Sequence, residues 1–226
     1  MNNFLITIGL CLLHCSANCQ YTIEFKPILN GQKLFLDSAD LYTVNSNEVV
    51  ISNLKFYAGA LHLVNHKKQK VKTDSSYHLI DLAKPESTKL QLEFQEELLV
   101  NDFRFKLGVD SITNVSGAYG GDLDPTLGMY WTWQSGYINF KLEGFYATEN
   151  GNREFQYHLG GYLNPFETVQ EIRLDILTSK KIVVLIDLEK FLKSIPAELP
   201  DNIMSPGKNA KLLSELLVPI FSLENE

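Results

Sequence analysis

The stretch Phe103-Arg104-Phe105-Lys106-Leu107-Gly108-Val109 alternates strictly between apolar residues and polar or small ones. Successive side chains of an extended chain point to opposite faces, so this pattern makes one apolar and one wet face. The same period of two recurs on both sides of it. Ile23 and Phe25 alternate with Glu24 and Lys26, and Leu90, Leu92 and Phe94 with Gln91 and Glu93. Ile138, Phe140 and Leu142 alternate with Asn139, Lys141 and Glu143, and Ile172, Leu174 and Ile176 with Arg173 and Asp175. The run Ile182 to Ile186 is apolar throughout and reads as a central strand. Sheets with one wet face are typically antiparallel. The expected fold is therefore an all-β, antiparallel β-sandwich.

Asn30-Gly31, Gly120-Gly121, Asn150-Gly151 and Gly160-Gly161 punctuate the strands as turns. Two longer loops are expected, Ser111 to Thr126 and Ala197 to Gly207. A short C-terminal helix is expected after Ser205-Pro206, which supply a cap and first turn. Leu213, Leu216, Leu217 and Ile220 then recur at helical spacing, and Pro219 marks the end. A shorter helix fits Leu188 to Ser194. No internal repeat, low-complexity tract or linker divides the chain, so residues 20–226 read as one sandwich domain.

The chain has 226 residues and is 45% hydrophobic, with 13 Phe and 10 Tyr, which is the make-up of an ordered globular protein. Its formal net charge of -7 argues against nucleic-acid binding, which needs cations to neutralise phosphates. Residues 1–19 differ from the rest. Phe4 to Leu13 is an apolar run too short to span a bilayer, and a small, polar stretch follows it. That pattern resembles a secretory signal peptide cleaved after Ala17 or Cys19, although Asn2 and Asn3 stand where a cation is usual. All three cysteines (Cys11, Cys15 and Cys19) lie in this segment. The exported chain is then expected to carry no disulfide framework, no thiolate site and no transmembrane segment. A lipid anchor on Cys15 or Cys19 would need a Leu-small-small signal that neither has.

No nucleophile elbow, phosphate-binding Gly-rich loop, HExxH or CxxC occurs in residues 20–226, so a binding role is expected over an enzymatic one. Asp110, Asn114, Asp122 and Asp124 offer hard oxygens for Ca²⁺, but their spacing is not an EF-hand, and these types also form turns. Both tryptophans fall in Gly128-Met129-Tyr130-Trp131-Thr132-Trp133-Gln134-Ser135-Gly136-Tyr137. On a strand Trp131 and Trp133 share a face, as a core anchor, a sugar or protein platform, or the wall of a metal pocket. Alternation through Phe155-Gln156-Tyr157-His158-Leu159 points Phe155, Tyr157 and Leu159 inward and His158 to the other face with Glu154 and Gln156. His78, His62 and His66 are the remaining histidines of residues 20–226. No pair has helical ligand spacing, so a metal site must be assembled from different strands.

Several segments in order carry a resemblance. They are Leu54-Lys55-Phe56-Tyr57, Tyr77-His78-Leu79-Ile80-Asp81, Phe105 to Asp110, Asp124-Pro125 through Trp133, Gly136-Tyr137-Ile138, and His158-Leu159-Gly160-Gly161. Together they resemble the MbnP-like family of periplasmic copper-binding proteins associated with methanobactin operons. The resemblance implies a periplasmic or extracellular copper-binding protein for scavenging, storage or delivery. It implies that Trp131 or Trp133 is open to oxidation to kynurenine by a partner dihaem enzyme. It also implies that His158, and next His78, ligate the metal, with His62 less well matched. Imidazole suits copper, and Met129 offers a soft thioether, with Met204 a weaker candidate. Glu154 or Asp81 would orient the imidazole. The competing expectation is a metal-free carbohydrate- or protein-binding module.

Overall fold

The computed structural model describes residues 19–38, 42–65, 70–94, 100–132, 134–176 and 180–224. The strands are β1 (Cys19–Leu29), β2 (Gln32–Lys33), β3 (Tyr42–Val44), β4 (Asn47–Asn65), β5 (Lys70–Asp81), β6 (Lys89–Phe94) and β7 (Val100–Leu107). The helix α1 (Ser111–Val115) separates these from β8 (Tyr130–Thr132), β9 (Gly136–Thr148), β10 (Gly151–Gly160), β11 (Gln170–Asp175) and β12 (Lys181–Asp187). The C-terminal part holds α2 (Leu188–Ser194), β13 (Asn202–Ile203), α3 (Lys208–Leu217) and β14 (Phe221–Leu223).

Two sheets face each other. The smaller has the order β14-β12-β1-β2, with β6 also paired to β1. The larger has the order β11-β7-β4-β9-β10-β13, with β3 and β5 paired to β4 and β8 to β9. The alternating residues meet between them. Phe25 of β1 packs edge-on against Phe56 of β4 at 5.5 Å and Phe105 of β7 at 5.4 Å. Ile23, Val184, Phe140, Phe155 and Leu159 are sealed in the same core. Burying a Phe, Leu or Ile side chain contributes about 1.5–3 kcal/mol, and this shared apolar face holds the sheets together.

The expectation of purely antiparallel sheets needs correction. β1 and β12 run parallel from Thr22↔Lys181 to Ile28↔Asp187, and β10 and β13 run parallel through Gln156↔Asn202 and Tyr157↔Ile203. Side-chain alternation looks the same in either direction, so periodicity does not report strand polarity. The long connection between β1 and β12 supplies the crossover that a parallel pair requires. The apolar run Ile182 to Ile186 does lie centrally, between β14 and β1.

The expected loops carry structure of their own. Ser111 to Thr126 contains α1, whose N-cap Asp110 accepts from the Thr113 N–H at 3.0 Å. Ala197 to Gly207 contains β13. Helix α3 starts at Lys208 rather than at Ser205-Pro206. Gly207 caps it without a side-chain bond, and Lys211 N–H donates to the Gly207 carbonyl at 3.0 Å. Its apolar stripe buries Ala210, Leu213 and Leu217 as the spacing requires.

Candidate functional site

The outer face of the larger sheet is not wet along its whole length. Tyr57 of β4, Leu79 of β5 and Tyr137 and Ile138 of β9 gather with Val109, Leu123 and Met129 into a second buried cluster. The segment between β7 and β9 lies over them and is held by specific bonds. The Tyr57 hydroxyl donates to the Asp122 carbonyl at 3.1 Å, and the Tyr137 hydroxyl to the Leu123 carbonyl at 2.9 Å. Asn114, itself buried, donates to the Val109 and Asp110 carbonyls at 2.9 Å and accepts from Tyr137 N–H at 2.8 Å. Burial pushes both phenols, Tyr57 and Tyr137, above their ordinary pKa, so they serve here as hydrogen-bonding anchors and not as acids or bases.

The four residues considered for Ca²⁺ all belong to this covering segment, and each has a structural partner. Asp110 and Asp124 cap turns through Thr113 and Thr126. Asp122 accepts from the Leu79 N–H at 2.9 Å, and Asn114 joins three backbone groups. Among the described residues no group of three His, Cys, Asp or Glu side chains is placed to hold an ion.

Trp131 and His158 come to the same part of this face. The indole of Trp131 packs against the covering cluster and over Gly160. A Cβ added to Gly160 would lie 2.8 Å from Trp131 Cζ3 and 2.6 Å from the Tyr137 carbonyl oxygen. Glycine at 160 is thus what admits the ring. His158 precedes Gly160 by two residues on β10, so both project to the outer face, about 7 Å apart along the strand. Trp133 and His66 lie outside the described residues.

His158 is only 5% exposed. Its Nε2 lies 2.6 Å from Glu143 Oε1, across the β9–β10 hairpin. The orienting carboxylate is therefore Glu143 and neither residue expected for that part. Glu154 is exposed, and Asp81 pairs with Lys55 at 3.0 Å. Burial lowers the His158 pKa below its ordinary value against the opposing pull of Glu143, and Lys141 adds to the lowering. Burial works against ionisation of Glu143, but bonds from Asn53 and His158, with Lys141 nearby, outweigh it and hold the carboxyl below its ordinary range. Near neutral pH the pair is an anionic carboxylate and a neutral imidazole. An ionised carboxylate only accepts, so the imidazole proton sits on Nε2 and the lone pair on Nδ1. A carboxylate fixing one ring nitrogen of a histidine is the arrangement that metal-ligating imidazoles use.

His78 is not part of this place. It pairs in register with Ala58, and its neighbour Ile80 points into the main core with Ala58. His158 pairs with Lys141, Lys141 with Lys55 and Lys55 with Asp81, all on the outer face. The two imidazoles thus leave opposite faces of the sheet, from strands three spacings, ~14 Å, apart. His78 instead bonds Asp74 Oδ2 at 2.9 Å. His62 lies seven residues beyond Lys55 on β4, ~23 Å along the strand. Met129 is fully enclosed in the apolar cluster, with its carbonyl accepting from Ile138 N–H at 2.9 Å.

A turn at Asn150-Gly151 was enough to bring the stretch around Glu143 beside His158. The observed register, with Thr148 opposite Gly151, then sets His158 opposite Lys141 and diagonal to Glu143.

The sequence model of the MbnP family matches residues 18–205. The fold is similar to that of the solved structure of MbnP from Methylosinus trichosporium, with a TM-score of 0.58 and 15% identity over 78% of each chain. That identity speaks for the fold alone. Comparison with the curated proteins returned no match. A family model spanning this much of the chain, on a sandwich of this shape, places the protein: the chain belongs to the MbnP family.

Proposed function

We propose that the chain is an exported copper-binding protein, working in the periplasm or outside the cell, whose metal is taken by Nδ1 of His158. One observation carries this: Glu143 holds Nε2 at 2.6 Å, which leaves the lone pair of an almost buried, neutral imidazole on Nδ1, two residues along β10 from the glycine over which Trp131 packs. Imidazole nitrogen is a favoured copper donor, and copper heads the divalent affinity series. His78 and Met129 have no part in this site, because one leaves the opposite face and the other is sealed in the cluster. Bound copper would supply a Lewis-acidic, redox-active centre. The residues of the chain bind it, orient the ring and keep water from its Nε2 side. Binding, and not catalysis, is the role. Among the described residues no helix is long and apolar enough to cross a membrane.

Copper analysis of the protein exported by its native host, with titration of the metal-free protein, tests the reading. His158→Ala should abolish stoichiometric copper binding and leave the circular dichroism unchanged. Unchanged binding would remove His158 as a ligand. Absence of copper from the wild type would favour the metal-free binding module. Oxidation of Trp131 or Trp133 to kynurenine by a dihaem partner is read separately. The conversion loses one ring carbon and adds one oxygen, about +4 Da on the peptide that carries both residues.

A further inference from the structure

We infer that a cavity at one lateral seam of the sandwich binds a free apolar α-amino acid, independently of any metal. The seam lies where both sheets leave an edge incomplete. On β1, the edge away from β12 pairs with β6 as far as Glu24↔Lys89 and with β2 from Ile28↔Lys33. On β4, the edge away from β9 pairs with β3 as far as Val49 and with β5 from Lys55. Residues 25–27 and 50–54 are thus left between neighbours. Single backbone bonds frame the opening. Leu34 N–H donates to the Pro27 carbonyl at 3.0 Å, Asp37 N–H to the Ile51 carbonyl at 2.9 Å and Leu82 N–H to the Leu54 carbonyl at 3.0 Å.

A cavity of about 380 Å³ opens at this seam, within the size range of small-molecule sites. Phe25, Pro27, Leu34, Leu36 and Leu82 give it apolar walls that continue into the main core. It lies on the edge of β4 opposite to β9 and β10, so it is separate from His158.

The polar groups around the cavity divide into two kinds. Glu24 lies 3.6 Å from Lys89 and 3.4 Å from Lys181, and Lys26 meets Glu224 at 2.5 Å. The Thr88 hydroxyl donates to the Pro85 carbonyl at 2.7 Å. Lys33 and Asp37 are exposed and line the same cavity, and among the described residues neither side chain has an ion-pair partner. The Lys33 ammonium instead sits 5.5 Å from the centre of the exposed Phe35 ring. One unpaired cation and one unpaired anion beside an apolar cavity complement an α-carboxylate and an α-ammonium that share one apolar side chain. A fatty acid would satisfy Lys33 but set its carboxylate against Asp37, and a neutral apolar molecule would use neither charge.

The test is an NMR titration of the full exported chain, without metal, with L-leucine and L-phenylalanine. Amide shifts should be confined to residues 24–37 and 82–88, and the His158 amide should not move. N-acetyl-L-phenylalanine lacks the cation and L-phenylalaninamide lacks the anion, so each should bind more weakly than L-phenylalanine. Lys33→Met and Asp37→Asn should each weaken binding by about two- to fivefold, the range of an exposed ion pair. Asp37 has φ +49°, which asparagine tolerates, and Lys33 is exposed, so both variants should fold, as circular dichroism checks. Ala83→Trp, at an exposed lining position, should block the cavity and abolish the shifts. No localised shift with either amino acid, or unchanged binding in Ala83→Trp, overturns the site. Octanoate binding as tightly as L-leucine, with Asp37→Asn without effect, overturns the amino acid in favour of an apolar acid. Each of these results leaves the copper reading of His158 untouched.

Discussion

Glu143 on β9 and His158 on β10 are diagonal neighbours across one hairpin, and their side chains meet at 2.6 Å between carboxylate and imidazole. Each group shifts the other toward its charged form, yet burial keeps the imidazole neutral. The consequences are measurable without any metal.

In Glu143→Gln the imidazole loses the carboxylate that favours its protonation. Its pKa should fall further below the ordinary value, as followed by NMR titration of the metal-free protein. Losing a charge-assisted bond at a nearly buried histidine should cost about 1.5–3 kcal/mol in urea unfolding.

Stability should also depend on pH in a defined window. The folded His158 pKa lies below the unfolded value of about 6.5, so the unfolded chain takes up the proton first. Its contribution is complete above about pH 6.5 and declines as pH falls toward the folded pKa. Glu143, also depressed when folded, adds a loss at lower pH, through the carboxylate range. Urea midpoints at pH 7 and pH 5.5 should differ more in wild type than in His158→Gln.

Gly160→Ala should cost about 1–3 kcal/mol, because its Cβ would meet a backbone oxygen at 2.6 Å and the Trp131 ring at 2.8 Å. The ring must shift, so tryptophan fluorescence should change as well. Gly120→Ala is the control, since a Cβ there meets nothing within 4 Å.

Asn114→Ala removes three hydrogen bonds: two tie it to the Val109 and Asp110 carbonyls, and one, from Tyr137 N–H, fastens the covering segment to β9. A loss of about 2–3 kcal/mol is expected, with faster proteolysis between α1 and β8. Equal cleavage rates in variant and wild type would mean that Asn114 is not the fastener.

Export predicts a mature protein beginning at Asn18 or Gln20, read by intact mass after fractionation of the host. β1 runs from Cys19 and buries Tyr21, so either start leaves the buried part of the strand whole.

Much of this architecture was present in the order of residues. Period-two alternation marks which side chains face the core, because a strand's geometry allows only two directions. It placed Phe155, Tyr157 and Leu159 inside and His158 on the opposite face, and the Asn150-Gly151 turn brings the stretch around Glu143 alongside, while the exact register came from the structure. Strand polarity, the covering of the outer face by the β7–β9 segment and the separation of His78 from His158 were decided by the tertiary structure alone. Alternation is blind to direction and to what packs on a face from far along the chain. That is why a histidine expected on a wet face is almost buried.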